Sequence, residues 1–342
     1  MKKNTILLSA AALLLIVGCA REANTGKNDA SKRAFDAWVK VQQNKHPEYL
    51  WRQSSLGCWI LAEKTGTGEL IGSEDEYPYI RYELTRYNLK GEVSNTTSEA
   101  LAHKLNNYDP TKYYGPSISY RTNYSIEAGV EDLLSEMRVG GYMAAVIPGW
   151  LMVSKRYSTA EEYIANCEGE NVIYEFKVVE QIEDTDKWEL DSIYRYLARN
   201  EKIAPSDSLK EGFYYIQDKA PSSTKAFSSD TTVYINYTGR LLNGKVFDTT
   251  IEKTGKDAGL KKTSYAPVKI TWATEYDEIR MGSDATSVVD GFAYLLWQMK
   301  AYEKGHAIFW SKLGYKYSGS GNSIPAWSPL IFEVELVDAP KD

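Results

Sequence analysis

The sequence predicts an α+β protein built from two copies of one domain, each an antiparallel sheet covering a single helix. Three observations carry that expectation. Four segments recur in the same order at offsets of 153 to 162 residues. Each copy reads as strands, one helix of about ten residues, and a closing alternating strand. The length, 342 residues, divides into about two domains at ~150 residues each. Charged residues are 25% and hydrophobic residues 43%, a globular composition that excludes wholesale disorder. The net charge of -6 argues against nucleic acid as a partner. Only 3 His and 3 Cys stand against 26 Tyr. His46, His103 and His306 share no ligand spacing with a cysteine, so neither a metal nor a cofactor is expected. Catalysis, if any, must rest on carboxylates, hydroxyls, backbone and apolar surface.

The chain opens Met1-Lys2-Lys3, followed by an apolar run of 12 residues from Ile6 to Val17, broken only by Ser9. This has the n-region and h-region of a secretory signal and is shorter than the ~20 residues a membrane span requires. Cys19 after Gly18 resembles a bacterial lipobox, which implies cleavage after residue 18 and lipidation of Cys19. The expected setting is the envelope of a Gram-negative bacterium, with the membrane reached through the Cys19 anchor. The neutral Ala20 leans towards the outer membrane. Loss of Lys2 and Lys3 leaves 38 basic and 46 acidic residues, a net charge of -8. Residues 19–50 read as a polar tether leading into a short helix, with Phe35, Trp38 and Val39 on one face.

The first copy is assigned to residues 51–184 and the second to 210–339. Leu56–Leu61 pairs with Glu211–Ile216, and Leu84–Gly91 with Tyr237–Gly244. Val130–Met137 pairs with Phe292–Met299, both expected helical, and Val172–Val178 with Leu330–Leu336. Between the copies, residues 185–209 read as a linker with an amphipathic helix carrying Trp188, Leu190, Ile193, Tyr196 and Leu197, ended by Ala204-Pro205.

The second copy holds Tyr237-Thr238-Gly239, Asn243-Gly244, Phe247-Asp248-Thr249 and Pro267, then Val288-Val289-Asp290-Gly291-Phe292. Leu313-Gly314-Tyr315, Ile324-Pro325 and Leu330–Leu336 follow. Tyr237 and Phe247 are ten apart, and Tyr315 and Ile324 nine. This ordered set resembles the FKBP-type peptidyl-prolyl cis-trans isomerases over about 125 residues. The resemblance implies a curved antiparallel half-barrel around one short helix and a substrate class of proline-containing polypeptides, here exported ones. It places Tyr237, Asp248 and Tyr315 as catalytic residues, with Tyr315 donating to a substrate carbonyl and Asp248 held by Tyr237. It places Phe247, Val268, Val288, Val289, Phe292, Ile324 and Phe332 around the proline ring, and the Val289 amide as a second donor. Phe292 stands where the family usually carries Trp, and Val268 where it carries an aromatic residue. Residues 251–266 and 274–287 are longer than in minimal members and are expected at the pocket rim, with Lys316 and Trp327. Such chemistry needs no His, Cys or metal, because a twisted amide is favoured by a dry cup with few donors.

The first copy keeps the frame without these groups. Leu84, Ser94-Asn95, Val130, Val153 and Tyr174 fall at the positions of Tyr237, Phe247-Asp248, Phe292, Tyr315 and Phe332. It therefore reads as catalytically dead, with client binding, homodimer pairing and simple spacing all open as roles. Ser98–Tyr120 reads as a flap. Cys58 and Cys167 stand either as a disulfide, natural in an exported protein, or as two buried thiols. A non-catalytic envelope chaperone or scaffold is the alternative to an isomerase.

Overall fold

The computed structural model describes residues 28–121, 125–201 and 203–340. The signal segment, Cys19 and the tether up to residue 27 lie outside the described residues. Helix α1 (Asp29–Lys45) has Asp29 in its first turn and Lys45 in its last, both favourable to the helix dipole. Phe35 and Val39, one turn apart, are its buried residues, and Phe35 meets the Trp150 ring edge-on at 5.4 Å.

The first half then runs β1 (Arg52–Gln53), β2 (Trp59–Lys64), β3 (Tyr79–Asn88), β4 (Val93–Thr96), α2 (Glu99–Lys104), β5 (Ser117–Tyr120), α3 (Ala128–Leu134), β6 (Tyr142–Ile147), α4 (Ala160–Asn166) and β7 (Val172–Ile182). Helix α5 (Thr185–Asn200) connects it to the second half. That half runs β8 (Phe213–Lys219), β9 (Thr232–Leu241), β10 (Val246–Thr249), α6 (Glu252–Asp257), β11 (Val268–Thr271), β12 (Arg280–Met281), β13 (Thr286–Ser287), α7 (Asp290–Gln298), β14 (Lys304–Phe309) and β15 (Leu330–Val337). The first sheet orders its strands β1-β2-β6-β7-β3-β4, with β5 also on β3. The second orders them β13-β12-β11-β9-β15-β14-β8, with β10 also on β9. All pairs are antiparallel, and β2, β6, β7, β3 take the places of β8, β14, β15, β9.

The duplication extends to single hydrogen bonds. Thr85 and Thr96 join their hydroxyls at 2.9 Å, as do Thr238 and Thr249. Thr97 Oγ1 accepts the Leu84 amide at 2.9 Å, and Thr250 Oγ1 accepts the Tyr237 amide at 2.8 Å. Leu84 therefore holds the Tyr237 position. Each core packs the inner face of its sheet against its central helix, and α1 and α4 add Phe35, Val39 and Tyr163 to the first. Helix α3 ends at Leu134, so Ser135–Met137, expected to be helical, form a turn instead.

Asp184 caps α5, its Oδ1 accepting from the amides of Asp186 and Lys187. Ile193 and Leu197 of α5 pack with Tyr214, Ile308, Trp310 and Ile331 in a core of their own. These strand residues alternate with inward Phe213, Phe309 and Leu330, so α5 covers the outer face of the second sheet. Glu189 fastens it there: its carboxylate accepts from the Ser311 amide and hydroxyl, both at 2.6 Å, and burial raises its pKa.

Two expectations need correction. Cys58 and Cys167 are both free and buried, so the disulfide alternative falls. Cys58 Sγ faces the Gly129 carbonyl at 3.6 Å on α3, while Cys167 caps the end of α4. Burial holds the Cys58 thiol well above the ordinary range and so keeps it protonated. Nor is Ser98–Tyr120 a free flap. Ser98 caps α2, β5 is hydrogen-bonded to β3, and the Tyr113 ring packs on the core of the second half.

Candidate active site

In a regular strand Phe247 and Asp248 would point to opposite faces. The β9–β10 register shifts between Val246 and Asp248, leaving Phe247 as the extra residue of a bulge. Both side chains consequently line one cavity of about 410 Å³. The first half has the same bulge, but with Ser94 and Asn95, both exposed, in these places.

The Asp248 carboxylate has three donors. The Tyr237 hydroxyl donates to Oδ2 at 2.5 Å, and the Thr249 amide donates to Oδ1 at 2.9 Å. Lys262 Nζ donates to Oδ1 at 2.7 Å and to the Thr249 carbonyl at 2.8 Å. Lys262 belongs to the long segment 251–266, and only the fold-back of that segment brings it here, so spacing alone did not reveal it. Burial first, then the Asp248 charge, pushes the Tyr237 pKa far above the ordinary tyrosine value. Burial and Asp248 also raise Tyr315. Both hydroxyls therefore keep their protons as donors.

The cup itself is aromatic. Phe292 and Phe332 have ring centroids 4.7 Å apart, and the Phe247 ring meets Phe332 edge-on at 5.5 Å. The Tyr237 ring lies 5.5 Å from Phe292. Phe292 is 3% exposed, Ile324 4% and Phe332 5%, so these three walls are buried, while Ser287, Ser320 and Ser323 add hydroxyls to the lining. Phe292 reaches it from the first turn of α7, which sits close to β14: a Cβ on Gly291 would stand 2.4 Å from the Phe309 ring. Val288 and Val289 line the cavity immediately before α7, and the Val289 carbonyl accepts from the Phe292 and Ala293 amides at 3.0 Å. Tyr315 enters from the opposite loop, where Gly319 donates to the Tyr315 carbonyl at 3.1 Å and Ser320 pairs with Ile324. Gly319 has φ +63, and a Cβ there would sit 2.2 Å from the Ile324 carbonyl oxygen, so glycine is required.

Nine of the ten expected residues thus meet around one cavity. Val268 does not: it pairs with Ile235 across β11–β9 and packs on the core, away from the lining. Met281 on β12 and Ser287, from the long segment 274–287, line the cavity instead, with Ser320 and Ser323. The length of that segment was the one signal in the sequence that pointed to it.

Among the described residues of the first half, the corresponding positions do not build such a cup. Arg86 holds the register of Gly239, facing Tyr174 as Gly239 faces Phe332. Its guanidinium stands 6.0 Å over the Tyr174 ring. Val130, at the Phe292 position, is fully buried in core.

Residues 223–337 match the family of FKBP-type peptidyl-prolyl cis-trans isomerases. FK506-binding protein 2 of Dictyostelium discoideum is 32% identical over 133 residues, 39% of this chain and 81% of that protein. A probable FKBP-type peptidyl-prolyl cis-trans isomerase of Haemophilus influenzae is 30% identical over 159 residues, 46% of this chain and 54% of that protein. The macrophage infectivity potentiator of Trypanosoma cruzi is 27% identical over 143 residues, 41% of this chain and 61% of that protein. The chain thus spans only 54% and 61% of the last two relatives.

Proposed function

The chain belongs to the FKBP-type peptidyl-prolyl cis-trans isomerase family, and from that premise we propose that its second half turns X–Pro bonds of exported polypeptides without covalent chemistry, in the aromatic cup. The observation that carries this is the three-point anchoring of Asp248 beside the aromatic walls of one cavity of about 410 Å³. Rotation about an X–Pro bond is opposed by a barrier of ~20 kcal/mol, because twisting destroys amide resonance. The planar amide has a polar carbonyl, whereas the twisted one concentrates its lone pair on nitrogen. An apolar cup therefore favours the twisted form over the planar one. Phe292, Phe332, Phe247 and Ile324 hold the ring. The Tyr315 hydroxyl, kept protonated by burial, is available to a substrate carbonyl. Asp248, fixed by Tyr237 and Lys262, lies beside the reacting group without free movement.

The test is cis-to-trans exchange of a proline tetrapeptide with the full chain. Asp248→Val removes the anchored charge and strands the Tyr237 hydroxyl and Lys262, and Tyr237→Phe removes one of the three anchors. Each lowers kcat/KM about tenfold or more, the equivalent of losing about 1.4 kcal/mol of transition-state stabilisation. Variants as fast as the parent would remove both residues from the site, and a parent no faster than buffer would remove the activity.

The setting rests on the amino-terminal pattern. We place the protein on the outer membrane, lipidated at Cys19, where it would meet exported chains as they fold. Labelled fatty acid should enter the chain in a Gram-negative host and be lost in Cys19→Ser. Incorporation in that variant, or none in the parent, would exclude the anchor.

A further inference from the structure

The described residues of the first half build no counterpart of the aromatic cup, yet one of its turns lies against the cup of the other half. The Tyr113 amide donates to the Asn322 carbonyl at 2.7 Å, and Lys245 Nζ donates to the Pro110 carbonyl at 2.6 Å. A Cβ on Gly259 would stand 2.7 Å from the Pro110 ring. All three contacts fall on segments that shape the active site. Asn322 lies between Ser320 and Ile324 on the rim loop, Lys245 stands two residues before Phe247, and Gly259 precedes the Lys262 segment.

Between this turn and the cup lies a second cavity of about 340 Å³, with Thr111 as a wall from the first half. Phe247, Asp248 and Ser323 line both this cavity and the proline cavity, so the two adjoin at the Phe247–Asp248 edge. The remaining lining is donor-rich. Lys261 and Lys262 both face it, and Asn322 adds an amide. Lys262 is committed to Asp248, whereas Lys261 is exposed and makes no ion pair among those of the described residues. Asp109, the nearby carboxylate, is held chiefly within its own turn, accepting from the Thr111 amide at 2.9 Å and hydroxyl at 2.7 Å, with Lys261 and Lys245 acting on it only through their charge.

We propose that this second cavity is a substrate subsite, completed by the first half, that takes an acidic side chain of the polypeptide beyond the X–Pro pair. The proline ring and its amide occupy the cup, and the chain that continues past Asp248 enters a space whose exposed charge is the Lys261 ammonium, which makes no close ion pair among the described residues. Thr111 closes the space from outside. The dead copy is thereby part of the enzyme's specificity rather than a spacer. The proposal rests on the isomerase reading, and its test separates the two.

Exchange rates are measured on the full chain with a proline tetrapeptide and with two proline octapeptides, one flanked by Glu and one by Lys. The Glu-flanked octapeptide should exceed the tetrapeptide about fivefold or more in kcat/KM, chiefly through KM, and the Lys-flanked one should not. Thr111→Trp, which fills the cavity, and Lys261→Glu, which reverses an exposed charge, should each erase the advantage. A contact that only holds the halves together would leave the ratio between substrates unmoved in both variants, which overturns the subsite. So does a parent with no preference for the Glu-flanked peptide. If Thr111→Trp does not fold, Lys261→Glu alone decides. A parent active on the tetrapeptide but indifferent to flanks refutes the subsite alone. A parent inactive on all three refutes the isomerase reading and the subsite together.

Discussion

Gly239→Val lowers kcat/KM for a proline tetrapeptide by ~100-fold or more, the scale of loss that follows when groups at a site are displaced by about an ångström. The reason lies in the walls of the cup. A Cβ on Gly239 would stand 2.5 Å from two atoms of the Phe247 ring and 3.1 Å from the Phe332 ring. Neither ring can yield alone: Phe332 is locked between Phe292 and Phe309, at 4.7 and 5.8 Å, and Phe247 rests edge-on against Phe332. Phe247 must swing towards the cavity and take the adjoining Asp248 bulge with it. The chain already contains a natural version of this change, since the first half carries Arg86 at the same register, with Ser94 in place of the wall. The overpacking should also cost about 1–3 kcal/mol of stability, so the rate is compared at a temperature where circular dichroism shows the variant folded. A folded variant that retains a third of the parent rate would mean that the Phe247–Phe332 walls do not define the site.

What could be read before the structure was the part written in local order. The recurrence of segments at 153 to 162 residues reflects strands that pair in the same order twice, and ordered spacing survives any change of loop. Phe247 and Asp248 were legible as a pair, but the bulge that turns both into the cavity belongs to the register with β9. Val268 follows Pro267, which fits the pattern, but the cavity is walled there by Met281 from a strand beyond β11. Lys262, Thr111 and Asn322 carry no periodic signal at all. They meet because irregular segments fold back across the sheet, and no spacing rule reports the direction in which a loop returns. For the two cysteines the number alone left a bond and two thiols equally open, and the fold decides for thiols, with Cys58 facing α3 and Cys167 ending α4.

Arg121→Met should destabilise the first half by about 3–5 kcal/mol, the scale of breaking one side of a buried ion pair. Arg121 follows β5 as Trp272 follows β11: each amide returns to the strand opposite, Arg121 to the Pro78 carbonyl at 2.7 Å and Trp272 to the Thr231 carbonyl at 2.9 Å. The second half buries an indole at this position and the first buries a guanidinium that is 1% exposed. That guanidinium is fully engaged, donating twice to the Glu131 carboxylate and to the Gly72 and Tyr77 carbonyls, each at 3.0 Å. Methionine fills part of the volume but leaves the Glu131 charge and two carbonyls without their donor, and unmade bonds of that kind outweigh the lost attraction. The pairing itself adds little beyond an apolar core, so Arg121→Met with Glu131→Leu should recover most of the loss. Denaturant unfolding of the full chain measures both. A single variant within about 1 kcal/mol of the parent would mean that solvent reaches the pair, against its burial. The expected outcome assigns the polar network the role that aromatic packing has in the catalytic half. It also explains how the first half stays folded without a cup, and so how it can hold Thr111 and Tyr113 against the site next door.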